Sequence, residues 1–183
     1  MIVPPPIPVL LAVYDPEWPH MAAGHAERLR GLGSILLKVH HIGSTSVPGL
    51  MAKPIIDLLP VVTDLTDLDL KQERVEALGY KWHGEFGMSG RRYCTLSYES
   101  GVRIAQLHFF KMDSLEIVRH IAFRDYLRAH SDVARAYERE KMRARNLHPS
   151  DSHSYTDEKA AWVQDTESNA LIWFAKQSAA STG

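Results

Sequence analysis

The chain has 183 residues, 45% of them hydrophobic and 23% charged, and its 21 Lys and Arg against 22 Asp and Glu leave a net charge of −1. That balance excludes tight non-specific binding to nucleic acid or to an anionic membrane surface, so any anion site must be local. A chain of this size buries roughly 70% of the surface its unfolded form exposes, so residues 1–183 are expected to fold as one domain. Cys94 is the only cysteine, which rules out an internal disulfide and a multi-cysteine zinc site and points to a reducing, cytoplasmic compartment.

The start, with Pro4, Pro5, Pro6 and Pro8 and no Lys or Arg before Arg28, lacks the charged head and apolar run of a signal peptide. No apolar run approaches the ~20 residues that span a bilayer. Asp15-Pro16-Glu17 reads as a helix start, after which Trp18, Met21, Ala22, His25, Leu29 and Leu32 fall on one face, with Gly31 and Gly33 closing the helix. Residues 35–42 and 54–62 read as strands, and their near-continuous apolar character predicts adjacent central strands covered on both faces. A helix over 67–78 ends at Gly79, and strands follow at 80–86, 91–98 and 102–111, the first two separated by Gly87-Met88-Ser89-Gly90. Helices are predicted over 115–129, 133–147 and 155–176, the last with a stripe from Tyr155 and Lys159 to Trp173 and Phe174 that reads as core packing. The sum is an α/β (α+β) fold: a mixed sheet over about 14–112 flanked by helices, then a helical part over about 114–178, with a low-complexity Ser-Ala-Ala-Ser-Thr-Gly tail.

The most informative segment runs from His41-Ile42-Gly43-Ser44-Thr45-Ser46 to Lys53-Pro54-Ile55-Ile56-Asp57. A glycine lets backbone approach a ligand, hydroxyls and free N–H groups at a helix start donate to phosphate, and a carboxylate on the next strand holds Mg²⁺. An acid amid Pro54, Ile55, Ile56, Leu58 and Leu59 is costly unless it is paired, metal-bound or protonated, and facing a cleft is its way out of those apolar neighbours. Lys53, Arg91, Arg92, Arg103 and Lys111 lie on or beside the strands, where Arg can clamp phosphate with two hydrogen bonds and Lys supplies a compact charge. Arg124, Asp125 and Arg128 share one helix, where Asp125 or an anion could relieve the arginine repulsion. His40, His41, His108 and His120 lie near the same region, without HExxH or His-x-His spacing to support zinc. Walker A, GxGxxG and Gly-x-Ser-x-Gly patterns are absent from the sequence.

The runs HIGSTSVPGL and KPIID, the later FRDYLR over 123–128, and the Tyr137/Lys141 and Tyr155/Lys159 spacings resemble the GrpB family of the polymerase β-like nucleotidyltransferase superfamily, nearly the whole chain taking part. The resemblance implies a nucleotidyltransferase-type sheet in which Gly43, Ser44, Thr45 and Ser46, with Lys53, Arg91 and Arg92, hold the phosphates of a nucleoside triphosphate. By the same template Asp57 is the catalytic metal ligand. The second carboxylate position is Leu59, and where relatives resemble His-x-His this chain has Gln106-Leu107-His108, so the metal set implied is Asp57 with His108. Three readings follow. The first is an enzyme transferring a nucleotidyl group with Mg²⁺ to a small acceptor. The second is an inactive module that binds a nucleotide or phosphorylated small molecule. The third is a domain that supports folding or assembly of a protein partner, by analogy with a related domain appended to dephospho-CoA kinase.

Overall fold

A computed structural model describes residues 6–180; Pro4 and Pro5 of the proline-rich start and the last three residues of the tail lie outside them. The described chain begins with α1 (Trp18–Leu29) and a 3₁₀ segment (Arg30–Ile35), then β1 (Leu36–Ile42), a 3₁₀ turn (Ser44–Ser46) and β2 (Ile56–Val62). Next come α2 (Leu65–Asp69), α3 (Gln72–Ala77), β3 (Lys81–Trp82), β4 (Arg91–Ser97) and β5 (Arg103–Lys111). The helical third is α4 (Leu115–Ala129), α5 (Ser131–Leu147), α6 (Ser152–Glu158) and α7 (Ala160–Ala180).

The sheet order is β1-β2-β5-β4-β3, with β2 and β5 parallel and every other neighbouring pair antiparallel. Adjacency of the first two strands is as expected, but only β2 is central. β1 is an edge strand, and Lys38 and the half-exposed Leu37 on it are compatible with that place because an edge has one side in water. The predicted 67–78 helix is two short helices, the first capped by the Asp64 carboxylate on the Thr66 N–H. The predicted 80–86 strand survives only as Lys81–Trp82, because Gly84, Phe86 and Gly87 take positive φ. The predicted 155–176 helix is broken at Lys159, which closes α6.

Strand alternation sorts the two faces of the sheet. Ile56, Leu58 and Val62 of β2 and Ala105, Leu107 and Phe109 of β5 pack with Trp18, Ala22 and Leu29 of α1 and with Leu68 and Val75 of α2 and α3. On the other face Leu59, Val61, Ile42 and Phe110 meet Ile117 of α4. Six of the seven residues of β2 are buried and Asp57 is the exception, at the end of the face that the C-terminal helices cover. A third apolar cluster ties Val47 and Leu50, just beyond the 3₁₀ turn, to Leu127 and Tyr137, with Trp162 and Val163 against them. This cluster sets α5 and α7 over the turn that follows β1.

Candidate functional site

Gly43 has φ 70° and ψ −175°, a backbone conformation that side chains disfavour. A Cβ there would stand 3.0 Å from Cβ and Cγ of Asp57 and closer still to Oδ2. Glycine is therefore required both by the turn and by the carboxylate packed against it. The next three residues divide their work. Ser46 Oγ donates to the Gly43 carbonyl at 2.6 Å, and Thr45 Oγ1 pairs with His41 Nε2 at 3.0 Å. Both hydroxyls are buried and pin the turn. Ser44 has no side-chain partner among the described residues and lines a cavity. Burial holds the His41 imidazole down to about 4, with Asp57 opposing and Arg128 and Arg124 adding, so it is neutral at pH 7.

From outside, α4 grips the same turn. Arg128 donates through Nε and Nη2 to the Ser46 carbonyl at 2.9 and 2.7 Å, and Arg124 donates to the His41 carbonyl at 3.1 Å while paired with Asp125. The arginines of FRDYLR are thus backbone clamps, and Asp125 relieves their repulsion.

On the sheet, Asp57 Oδ1 accepts from Gln106 Nε2 and lies 3.7 Å from His108 Nε2. Gln106 in turn accepts from the Tyr93 hydroxyl, to which Arg103 Nη1 donates at 3.4 Å. Asp57 has no lysine or arginine within ion-pair distance among the described residues. Facing it across a cavity of about 230 Å³ are Tyr137 and Lys141 of α5, Tyr155 of α6, and Lys159. Lys141, 2% exposed, donates Nζ to the Met51 carbonyl and lies 4.7 Å from the Tyr137 ring. Burial pulls its ammonium down to about 7, with Glu138 opposing and Lys159 adding. Lys53 and Lys159 approach the Tyr155 ring to 5.3 and 5.4 Å. Lys53 is also lowered by burial, against the pull of Asp57. None of the three lysines has a carboxylate partner among the described residues.

Five of the residues singled out from sequence, Gly43, Ser44, Thr45, Lys53 and Asp57, line this cavity. Ser46 does not. Arg91 and His108 line a second cavity, of about 470 Å³, that meets the first at Lys53, Ile55, Gln106 and Thr156. Arg92 points elsewhere: Asp69 takes it with two hydrogen bonds of 2.6 and 2.7 Å, and Glu85 lies 3.7 Å away. Sequence reasoning missed Lys141, Lys159, Tyr137 and Tyr155 as cavity residues. Their signal was the Tyr-x-x-x-Lys spacing, which occurs twice.

Among the described residues no group of three or more His, Cys, Asp or Glu side chains could hold a metal. Leu59 is fully buried among Ile42, Val61 and Phe110, so a two-carboxylate pair on β2 is absent. With Oδ1 taken by Gln106, Asp57 offers Oδ2 on the Gly43 side. One open carboxylate oxygen could serve as a ligand to a single Mg²⁺ and cannot serve a two-metal pair.

The sequence matches the GrpB protein family over residues 8–169. The chain belongs to the GrpB family. It is 36% identical over 168 residues to the protein YqkA of Bacillus subtilis, covering 90% of this chain and 48% of that one, so it spans about half the length of that relative. The crystal structure of the conserved protein GrpB from Enterococcus faecalis superposes with a TM-score of 0.85 at 39% identity, over 90% of this chain and 99% of that one. The Cid1 poly(U) polymerase, solved with Mg and 3′-dATP bound, superposes with a TM-score of 0.53 at 14% identity over 81% of this chain and 49% of its own. That likeness is one of fold: a GrpB protein carries a nucleotidyltransferase-like sheet. No helix among the described residues is long and apolar enough to cross a membrane.

Proposed function

We propose that this GrpB protein binds a nucleoside triphosphate, with its phosphates between the Gly43-Ser44 turn and the ammonium groups of Lys53, Lys141 and Lys159. The observation that carries this reading is the convergence of three lysines without carboxylate partners on one cavity that holds a single acid, Asp57. Such a cavity is short of negative charge, and a chain of phosphates supplies it at the spacing of the lysines and free N–H groups. The nucleotidyltransferase-like fold, shared with a polymerase solved with Mg and 3′-dATP, favours a nucleotide over inorganic phosphate. Calorimetric titration with ATP tests it: Lys159→Gln should weaken binding by about tenfold, the value of one charge-assisted hydrogen bond. Absent binding, or equal affinity in the variant, refutes it.

A second layer of the reading is catalytic, and the free Oδ2 of Asp57 favours it. There Asp57 would hold one Mg²⁺, which would neutralise phosphate charge, and the chain's own residues would favour transfer of a nucleotidyl group to a small acceptor, with pyrophosphate leaving, by positioning and electrostatics. His108 serves as neighbour of the carboxylate, since Mg²⁺ takes oxygen ligands. Asp57→Asn keeps an acceptor for Gln106 and should leave Mg²⁺-free ATP affinity intact while abolishing both the gain on adding Mg²⁺ and any pyrophosphate release. Mg²⁺-independent binding in the parent protein would leave a binding module.

A further inference from the structure

The cavity of about 470 Å³ beside the phosphate site has its own chemistry. Its floor is Tyr93, Arg103 and His108 on β4 and β5, with Arg91 and Phe86 on one wall and Asp157 as an exposed acid at the rim. Arg91 spends Nε and Nη2 on the carbonyls of Glu85 and Phe86 and sits with Cζ 5.0 Å from the Tyr93 ring centre. The Arg103 guanidinium has one hydrogen bond among the described residues, the 3.4 Å contact to the Tyr93 hydroxyl. Neither guanidinium pairs with a carboxylate among the described residues. The buried side-chain nitrogens without a partner there are Arg103 Nε and His108 Nδ1, and both belong to this lining. Buried polar groups are nearly always satisfied, and these two are shielded from the cavity itself, so the open donors facing it are the unspent terminal nitrogens of the two guanidinium groups.

A flat surface accompanies the charge. The Phe86 ring stacks on Tyr93 with centres 5.1 Å apart and 23° between planes. Phe86 has φ 46°, the one non-glycine residue with positive φ among the described residues, and it sits between Gly84 and Gly87, which share that sign. A phenylalanine held in the left-handed region costs energy and persists only where neighbours fix it, here through the bond of Arg91 to its carbonyl.

We propose that this cavity is a second binding site, for a small molecule bearing a carboxylate or phosphate on a flat apolar body. The anion lies on Arg91 and Arg103, and the body lies against Phe86 and Tyr93. In the nucleotide reading above this ligand is the acceptor, a role that rests on that reading, whereas the site itself needs no nucleotide.

Titrating the protein with phenyl phosphate and with benzoate, in the absence of nucleotide, tests the site. Arg91→Gln should weaken whichever probe binds by at least about tenfold. Phe86→Gly trades the strained backbone for the lost stacking on Tyr93, two effects of similar size, so it should fold close to the parent. It should weaken phenyl phosphate severalfold and leave inorganic phosphate unchanged, because only the body contacts the ring. The proposal is overturned if neither probe binds at millimolar concentration or if Arg91→Gln has parental affinity. It is equally overturned if Lys159→Gln removes binding instead, which would put the anion in the first cavity. Failure of ATP to bind leaves these outcomes unaltered, so the two readings fail separately.

Discussion

Replacing Gly43 with alanine combines two costs that the structure separates. Gly33 has nearly the same backbone, φ 74° and ψ −148° against 70° and −175° for Gly43, yet nothing lies within 4 Å of a Cβ built on it. Gly33→Ala therefore measures the backbone penalty alone, about 1–3 kcal/mol. Gly43→Ala adds a collision with Asp57, whose Cβ and Cγ stand 3.0 Å from the new methyl. Asp57 is held by Gln106 on a buried central strand and has little freedom to withdraw, so the excess should be about 1–3 kcal/mol, the usual cost of overpacking. Chemical denaturation of the two variants and the parent gives both numbers, the same baseline serving all three. A Gly43→Ala loss no larger than that of Gly33→Ala would refute the close packing of turn and carboxylate.

Leu59→Asp, which restores the missing carboxylate of a two-metal pair, should destabilise the fold by at least about 3 kcal/mol, because position 59 is fully buried among Ile42, Val61 and Phe110; a stable variant that gains Mg²⁺ affinity in calorimetry would contradict this. Lys141 has its pKa lowered to about 7 in the folded protein against an ordinary 10.5, so the unfolded chain binds the proton more tightly. The destabilising contribution is fully present below about pH 7 and fades as pH rises towards 10.5, a gain of up to about 5 kcal/mol. Lys141→Met should flatten that part of the stability profile in denaturation series across pH, and an unchanged slope would sink the assignment. Arg128→Ala removes two donors from the Ser46 carbonyl and should cost about 1–3 kcal/mol, with faster amide hydrogen exchange over residues 43–47; exchange at the parental rate would show the clamp to be idle.

Period and apolarity were enough to read the central strand β2, the interruption at Asp57 and most helices from sequence. They failed where geometry depends on distant partners. The apolar residues of 35–42 suggested a doubly covered strand, although Lys38, His40 and His41 already marked it as suited to an edge. The break at Lys159 left no trace in the periodicity, since the stripe runs through it at unchanged spacing. Arg91 and Arg92 looked equivalent beside a glycine-rich loop, but strand alternation sends them to opposite sides: one reaches a cavity and the other Asp69. The lysine wall was hidden for a related reason. Lys141 and Lys159 belong to helices far along the chain from Asp57, and only docking of α5 and α6 through Tyr137 and Tyr155 brings them over the sheet.

That arrangement gives the cleft a history as well as a shape. Its acid and turn come from residues 43–57, while its cations come partly from 141 and 159, and the ties between them, Ser46 to Arg128 and Met51 to Lys141, span 82 and 90 residues. Loop closure over such distances must be completed before the contacts reward it. During synthesis the carboxylate and its turn emerge well before the ammonium groups that complete the pocket, so affinity for an anion should arrive only with the last helices. A ligand of this cleft would then recognise chains that have folded through Lys159 and ignore shorter ones, adding stability in proportion to the logarithm of its concentration over Kd. Bound ligand would in this way slow proteolysis of the folded chain.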